Sequence, residues 1–186
     1  MDDSSSAYLK DIIRTYRNYL ALGEKAIEQV PDDRLNTSID PDSNSIAVIV
    51  KHVAGNLRSR FTDFLTTDGE KPNRNRDSEF EVPQPASREQ ILAWWRTGFD
   101  VALGAIDALT AADLSRTVTI RGEPFLVVEA LNRSATHTAY HVGQIVYVAR
   151  HLAAGSWTSL SIPKGKSAEY AKGSVKRDGI VRPAKA

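Results

Sequence analysis

Hydrophobic side chains recur at three- and four-residue steps along four long segments of the chain, which is the period of an α-helix. The first segment covers about residues 6–30 and ends at Pro31, because proline disfavours helix in the residue before it. The second covers residues 46–67, between the turn-forming sequence at 40–44 and Asp68-Gly69. Both segments are therefore predicted to be amphipathic helices.

The second half of the chain contains two more segments with this period. The third predicted helix covers residues 87–109, and Ser87 with Gln90 three residues later is the pattern of a capping box. The fourth covers residues 126–153, with Gly155 just past its end. Four helices of this length in one domain predict an all-α, antiparallel four-helix bundle with some longer crossover connections.

The connections between these helices differ in character. Residues 67–86 are polar and contain three prolines, and ordered connections of this length are uncommon unless they serve a function. Residues 116–120 and 123–126, joined by Arg121-Gly122, predict a small β-hairpin before the last long helix.

Composition and charge narrow the class of protein. The 186 residues are 41% hydrophobic and carry 24 basic against 23 acidic side chains, as expected for a globular domain with no bulk affinity for nucleic acid. No run approaches the ~18 apolar residues of a membrane span, and the acidic N-terminus is unlike a secretory signal, so a cytoplasmic location without membrane contact is expected. The absence of cysteine excludes disulfides, thiolate zinc sites and iron–sulfur clusters.

Basic residues are concentrated near the C-terminus. Residues 164–186 carry seven lysines and arginines against two acids, a net charge of +5. This segment could meet an acidic partner or be a solvated terminus. We expect a single domain over residues 1–170 and a basic tail over residues 171–186.

The four histidines carry the most specific chemical signal. His137 and His141 are four residues apart on the fourth predicted helix, so they project from one face and can reach one metal ion. His52 lies on the second helix, which a bundle can place opposite the fourth. Three imidazoles that leave a coordination position open are typical of catalytic metal sites. Satisfied core histidines would give the same pattern.

Other side chains are candidates for contacting a substrate. Asn56 shares a helix face with His52, whereas Tyr140 and Gln144 adjoin the histidine pair and could hold substrate or water on the metal, or simply pack. The basic residues Arg74, Arg76 and Lys164 could clamp a small anion, although such arginines usually are solvated or pair with acids.

Several longer stretches resemble one known family. The order of one histidine in the second helix and HxxxH in the fourth is similar to the DinB-like (YfiT-like) superfamily of metal-binding four-helix bundles. Within it the chain resembles the DUF1572 branch over about residues 8–170. The stretches that carry this resemblance are IAVIVKHVAGN (46–56), TDFLTTDGEKP (62–72), RNRDSEF (74–80), HTAYHVGQIVY (137–147) and LSIPKGKS (160–167).

The resemblance implies an up-down-down-up bundle, usually a homodimer, in which His52, His137 and His141 bind a divalent transition metal such as Zn, Ni or Fe. Better-known relatives are thiol-dependent transferases and isomerases in which the metal binds the thiolate of a low-molecular-weight thiol. No reaction is assigned within the DUF1572 branch. The expectation is a metal-dependent transferase or hydrolase that activates a thiol or water, with a non-catalytic metal- or ligand-binding bundle as the alternative.

Overall fold

The structure is a computed structural model that describes residues 3–168. The predicted end of the domain at residue 170 and the predicted basic tail at 171–186 lie outside this range. Four long helices form most of the described chain, as the hydrophobic period predicts. They are α1 (Asp3–Glu28), α2 (Ile46–Phe61), α3 (Arg88–Asp107) and α4 (Val127–Leu152).

Side-chain caps fix the starts of the two middle helices. The hydroxyl of Ser45 accepts a hydrogen bond from the amide of Val48 at the start of α2, and Ser87 does the same for Gln90 at the start of α3. Each cap satisfies one of the amides that has no partner within its own helix.

Helix α2 ends earlier than its hydrophobic period predicts. The apolar pattern continues toward Asp68, but the last helical residue is Phe61. Thr62 is extended and Asp63 takes a positive φ of 48°, and both conformations are incompatible with a continuing helix. The carbonyl of Asp63 then accepts the amide of Thr66, so these residues form a turn that still buries apolar side chains.

Helices α1 and α4 run parallel. Near the start of both, the hydroxyl of Tyr8 donates to Oδ1 of Asn132 at 2.8 Å. Beyond the end of α1, Nη1 of Arg34 donates to the carbonyl of Leu152 at the end of α4, at 3.2 Å. Contacts that join start to start and end to end define a parallel pair.

Helix α3 runs antiparallel to α1. Its first residue, Arg88, donates to the carbonyl of Ile27 near the end of α1 at 2.6 Å. Further along α3, Nε1 of Trp95 donates to the carbonyl of Leu20, which lies two turns earlier in α1, at 3.0 Å. This direction is the reverse of that seen between α1 and α4.

Helix α2 runs antiparallel to α4 and completes the topology. His52, early in α2, lies beside His141 in the second half of α4, whereas Arg60 at the end of α2 shares a cavity with Ala130 near the start of α4. Helices α2 and α3 therefore both oppose α1 and α4. The bundle has the up-down-down-up order, and the long connection between the parallel helices α2 and α3 crosses the length of the bundle.

The predicted hairpin is present and closes one end of the bundle. Strands β1 (Thr117–Ile120) and β2 (Glu123–Leu126) pair antiparallel. Arg121 and Gly122 between them have φ values of 57° and 77°, as a two-residue hairpin turn requires. The Asp68 carboxylate accepts both of their amides at 2.9 Å, which fastens the hairpin to the α2–α3 connection.

The interior of the bundle is a continuous apolar core with aromatic residues at its centre. Trp95, Phe99 and Tyr16 are fully buried, and the rings of Trp95 and Phe99 lie 4.6 Å apart. Within residues 3–168, no helix combines the length and apolar character needed to cross a membrane.

Candidate metal centre

Three histidines meet where α2 faces α4. One ring nitrogen from each of His52, His137 and His141 lies within 4.8 Å of the other two. The ring centroids are 4.6 Å apart for the α4 pair, and 5.4 and 4.9 Å from His52 to His137 and His141. The one-turn spacing on α4 and the antiparallel approach of α2 together produce this cluster.

Hydrogen bonds to two of the rings fix which nitrogen faces the cluster. Nδ1 of His52 donates to Oε2 of Glu79 at 2.9 Å, and Nδ1 of His141 donates to Oε1 of Gln144 at 2.7 Å. A neutral imidazole carries one N–H, so Nε2 of both rings keeps its lone pair. Nε2 is the atom that remains available to bind a metal ion in each case.

The α4 histidines are held in the neutral form. Burial, the neighbouring histidines and nearby arginines lower the pKa of His137 to about 4. Burial also lowers the pKa of His141, despite the opposing hydrogen bond to Gln144. Metal ions bind the neutral imidazole, so neither of these two ligands has to lose a proton at neutral pH.

The spacing of the α4 pair fits a shared ion. Nε2 of His137 and Nε2 of His141 are 3.2 Å apart. Two nitrogens at ~2.0–2.1 Å from one tetrahedral ion would be separated by about 3.3 Å. With His52 added, the three histidines could hold a metal ion, and imidazole nitrogens suit divalent transition metals.

A buried carboxylate positions His52. The side chains of Glu79 and Arg74 are 8% and 5% exposed, and their two hydrogen bonds are both 2.8 Å long. Burial opposes the charged form of Glu79, but the bonds from Arg74 and His52 outweigh it and lower the pKa of the carboxyl. A histidine that donates its second nitrogen to a carboxylate is the usual outer-shell arrangement of metal ligands.

The absence of a side chain at residue 55 allows this carboxylate to approach α2. A Cβ atom built on Gly55 would lie 2.3 Å from Oε1 of Glu79. Glu79 belongs to a short 3-10 helix, Asp77–Phe80, in the connection between α2 and α3. The ring of Phe80 in the same turn lies 4.7 Å from that of His52.

A second carboxylate, Glu70, joins the connection to the hairpin. It accepts hydrogen bonds from Arg60 at 3.1 Å, Arg74 at 3.3 Å and Arg121 at 2.8 Å. Burial raises its pKa, but these guanidinium groups outweigh burial and lower it overall. This network anchors α2, the connection and the hairpin to one another beside the histidines.

A cavity of about 180 Å³ adjoins the histidines. It lies between α2 and α4, with the hairpin at one end. Five of the described side chains that line it are arginines. The described residues that line it are His52, Asn56, Arg60, Arg74, Arg76, Ile120, Arg121, Ala130, Arg133, Ser134 and His137.

The structure brings some of the predicted substrate-contacting residues to this cavity. Asn56, Arg74 and Arg76 line it. Gln144 instead accepts a hydrogen bond from Nδ1 of His141. The ring centroid of Tyr140 lies 5.0 Å from that of His141, but Tyr140 is 64% exposed.

Lys164 lies apart from the cavity. It is exposed in a turn after α4 and is not among the described residues that line the cavity. The separation follows from the topology, because the cavity opens beside the start of α4 and the hairpin rather than beside the segment after α4.

Sequence reasoning missed two arginines and the role of one carboxylate. Arg121 in the hairpin turn and Arg133 on α4 both line the cavity. Arg133 lies four residues before His137, so its place on the same helix face was available from the sequence. The carboxylate is that of Glu79, since nothing local in the sequence points it toward His52.

The comparison with protein families identifies the chain. The profile of a family described as "Protein of unknown function (DUF1572)" matches residues 3–166, and the chain belongs to this family. The match covers all four helices, the hairpin and every residue of the candidate site. No curated protein matches the sequence.

Proposed function

We propose that this protein binds one divalent transition metal ion, such as Zn, Ni or Fe, through His52, His137 and His141. The observation that carries the proposal is the convergence of three imidazole nitrogens within 4.8 Å beside a cavity. The Nδ1 hydrogen bonds of His52 and His141 support it, because they leave Nε2 of both rings with a free lone pair. The helix order and the histidine placement further support membership of the DinB-like superfamily.

We propose that the bound metal serves a transferase or hydrolase reaction. A metal ion at this position would lower the pKa of a small thiol or a water molecule and so supply a nucleophile at neutral pH. The protein's own residues would fix the geometry. Glu79 would orient the His52 ring, and Gln144 would orient the His141 ring, while Asn56 at the cavity wall could donate to or accept from a bound substrate.

An assay with a reactive electrophile tests this proposal. Zn-, Ni- and Fe-loaded protein would be mixed with glutathione, bacillithiol or mycothiol and 1-chloro-2,4-dinitrobenzene, and a nitrophenyl ester would test hydrolysis. Metal-dependent turnover in wild type that is lost in His141→Ala is the expected result. His151→Ala is the matched control, because this exposed histidine lies at the end of α4 away from the cluster and should keep wild-type turnover.

The same experiment separates the alternative function. Stoichiometric metal binding without turnover on any of these substrates would favour a non-catalytic metal- or ligand-binding bundle. Analytical ultracentrifugation of the metal-loaded and metal-free protein would then show whether the protein forms a homodimer and whether metal binding changes its oligomeric state.

A further inference from the structure

The cavity beside the histidines is more basic than its own carboxylates can neutralise. Five arginines line it. Three of them share two buried or half-buried carboxylates. Glu79 pairs with Arg74, and Glu70 pairs with Arg60, Arg74 and Arg121. These three guanidinium groups therefore already have carboxylate partners, and their ion pairs join the segments that surround the cavity.

The positive charges of the remaining two arginines, Arg76 and Arg133, are poorly neutralised by carboxylates of the protein. Arg76 Nη1 is 3.9 Å from the Asp77 carboxylate, whose side chain is 95% exposed, so this ion pair is weak. Within residues 4–168, Arg133 has no carboxylate oxygen within 4.0 Å. Both therefore bring positive charge to the cavity that a ligand could neutralise.

Aromatic rings hold these two guanidinium groups in place. Arg76 lies over the ring of Phe80 with Cζ 4.9 Å from its centroid, and Arg133 lies over Phe125 at 5.4 Å. A ring face attracts a guanidinium electrostatically, and the N–H groups that point away from the ring can still bind a ligand. A side chain that is already restrained loses less freedom when it binds an oxyanion.

Both arginines are also close to the histidine cluster. Phe80 contacts Arg76 and the ring of His52, which lies 4.7 Å from it. Arg133 precedes His137 by four residues on α4, a rise of about 6 Å at 1.5 Å per residue. An anion held by the two arginines would thus lie about one helical turn from the histidines.

We propose that Arg76 and Arg133 form an oxyanion subsite, which binds a carboxylate or phosphate group at one end of a small molecule whose other end reaches the histidines. The cavity of about 180 Å³ is below the range of drug-sized ligand pockets, so it suits a small metabolite. The role of the end that reaches the histidines rests on the proposed function. The oxyanion subsite itself depends only on the arginines.

The first experiment tests the subsite without metal. Chelator-treated, full-length protein is titrated with inorganic phosphate by isothermal titration calorimetry at low ionic strength. One phosphate should bind, and Arg76→Gln and Arg133→Gln should each weaken it about tenfold or more, as expected for a lost charge-assisted hydrogen bond. Arg150→Gln is the matched control, since it removes the same charge from an exposed position at the far end of α4.

Either of two results would overturn the subsite. One is that phosphate fails to bind the wild type. The other is that Arg150→Gln weakens binding as much as Arg133→Gln does, which would show a general effect of net charge. Both test arginines are at the surface of the protein, with Arg76 51% exposed, so their replacement should leave the fold intact, as circular dichroism would verify.

The second experiment tests whether one molecule can occupy the oxyanion subsite and reach the histidines at the same time. Co²⁺-loaded protein is titrated with 6-mercaptohexanoate and with 6-mercaptohexan-1-ol, which share a thiol and a chain and differ only in the oxyanion. Thiolate-to-cobalt absorption reports binding at the histidines. The carboxylate should bind about tenfold tighter, and Arg133→Gln should remove that advantage.

The two failures are distinguishable. Equal affinity for both thiols, with cobalt bound, would overturn the subsite and leave the metal site standing. Phosphate binding that depends on Arg133, together with no thiolate absorption from either thiol, would support the oxyanion subsite and contradict the proposed role of the metal.

Discussion

Nδ1 of His52 lies 2.9 Å from Oε2 of Glu79, and both side chains are buried. This bond joins the α2 helix to the connection that follows it, and it determines which nitrogen of His52 faces the other two histidines. Arg74 holds the other side of the same carboxylate. The orientation of the candidate metal ligand therefore depends on a residue 27 positions later in the sequence.

Replacing Glu79 should weaken metal binding without removing a ligand. Glu79→Gln keeps the shape of the side chain but loses the charge that orients His52, and loss of such a partner typically costs 10–100-fold in metal affinity. Competition with a chromophoric zinc chelator measures this change. Glu81→Gln, an exposed neighbour, should bind zinc as the wild type does. Equal affinity for all three proteins would show that Glu79 does not support the site.

Gly55→Ala should disturb the same carboxylate from the side of α2. The new Cβ would lie 2.3 Å from Oε1 of Glu79, so the carboxylate or the 3-10 helix that carries it must move. We expect zinc affinity to fall about tenfold or more, in line with other losses of outer-shell support. Chelator competition reports the affinity, and thermal unfolding reports the stability.

Gly104→Ala is the control for that substitution. Gly104 lies inside α3, and beyond the adjacent backbone of that helix a Cβ there would meet no described atom within 4 Å. Alanine should therefore leave zinc affinity unchanged and stabilise the protein by up to about 1 kcal/mol through its helix propensity. Normal zinc affinity in Gly55→Ala would contradict the close packing of Glu79 on α2.

Acid should lower the stability of the metal-free protein over a pH range that is set by the pKa of His137. Its pKa is about 4 in the folded protein, below the ordinary value of 6.5. As the pH falls from 6.5 toward 4, the unfolded chain takes up a proton at this residue and the folded chain does not, so stability falls; above pH 6.5 the residue is neutral in both states. His141 acts in the same direction.

Urea unfolding of chelator-treated protein between pH 7.5 and pH 4.5 measures this effect. His137→Asn cannot titrate, so its stability should fall less steeply below pH 6.5 than that of the wild type. His151→Asn removes an exposed histidine and should retain the wild-type dependence. Parallel curves for the wild type and His137→Asn would contradict the lowered pKa.

The packing of α1 against α3 should depend on the indole nitrogen of Trp95. This fully buried side chain donates to the carbonyl of Leu20 at 3.0 Å. Trp95→Phe removes this hydrogen bond and reduces the volume that fills the core, at a cost of about 1–3 kcal/mol. Urea unfolding measures the loss, and Trp94→Phe, at a less buried neighbouring position, should cost less. Equal losses would contradict this arrangement.

The helices and the pairing of His137 with His141 follow from regularities within short segments. The hydrophobic period predicts α1, α3 and α4 closely, and the four-residue spacing of His137 and His141 places them on one face whatever the tertiary structure. The predicted end of α2 was wrong because the apolar side chain of Phe64 continues the hydrophobic period. Phe64 is buried in the core, but it lies in the turn after the helix. Periodicity reports which side chains are buried and not the backbone conformation that buries them.

The supporting residues could not be predicted in the same way. Glu79 reaches His52 only because the α2–α3 connection folds back across α2, and that path is set by tertiary contacts such as the Asp68 bonds to the hairpin. The cavity position of Arg121 depends on the same contacts. The place of Lys164 outside the cavity has a related cause, since a basic residue in a predicted loop indicates charge but not location.

Metal content is the most direct test of the central claim that His52, His137 and His141 form a metal site. Inductively coupled plasma mass spectrometry would be applied to tag-free wild type and to the His137→Ala/His141→Ala double variant, as purified and after reconstitution with Zn²⁺, Ni²⁺ and Fe²⁺. We expect about one equivalent of one metal in the wild type and none in the double variant. A wild type that holds no metal after reconstitution, or a double variant that holds as much as the wild type, would contradict this claim.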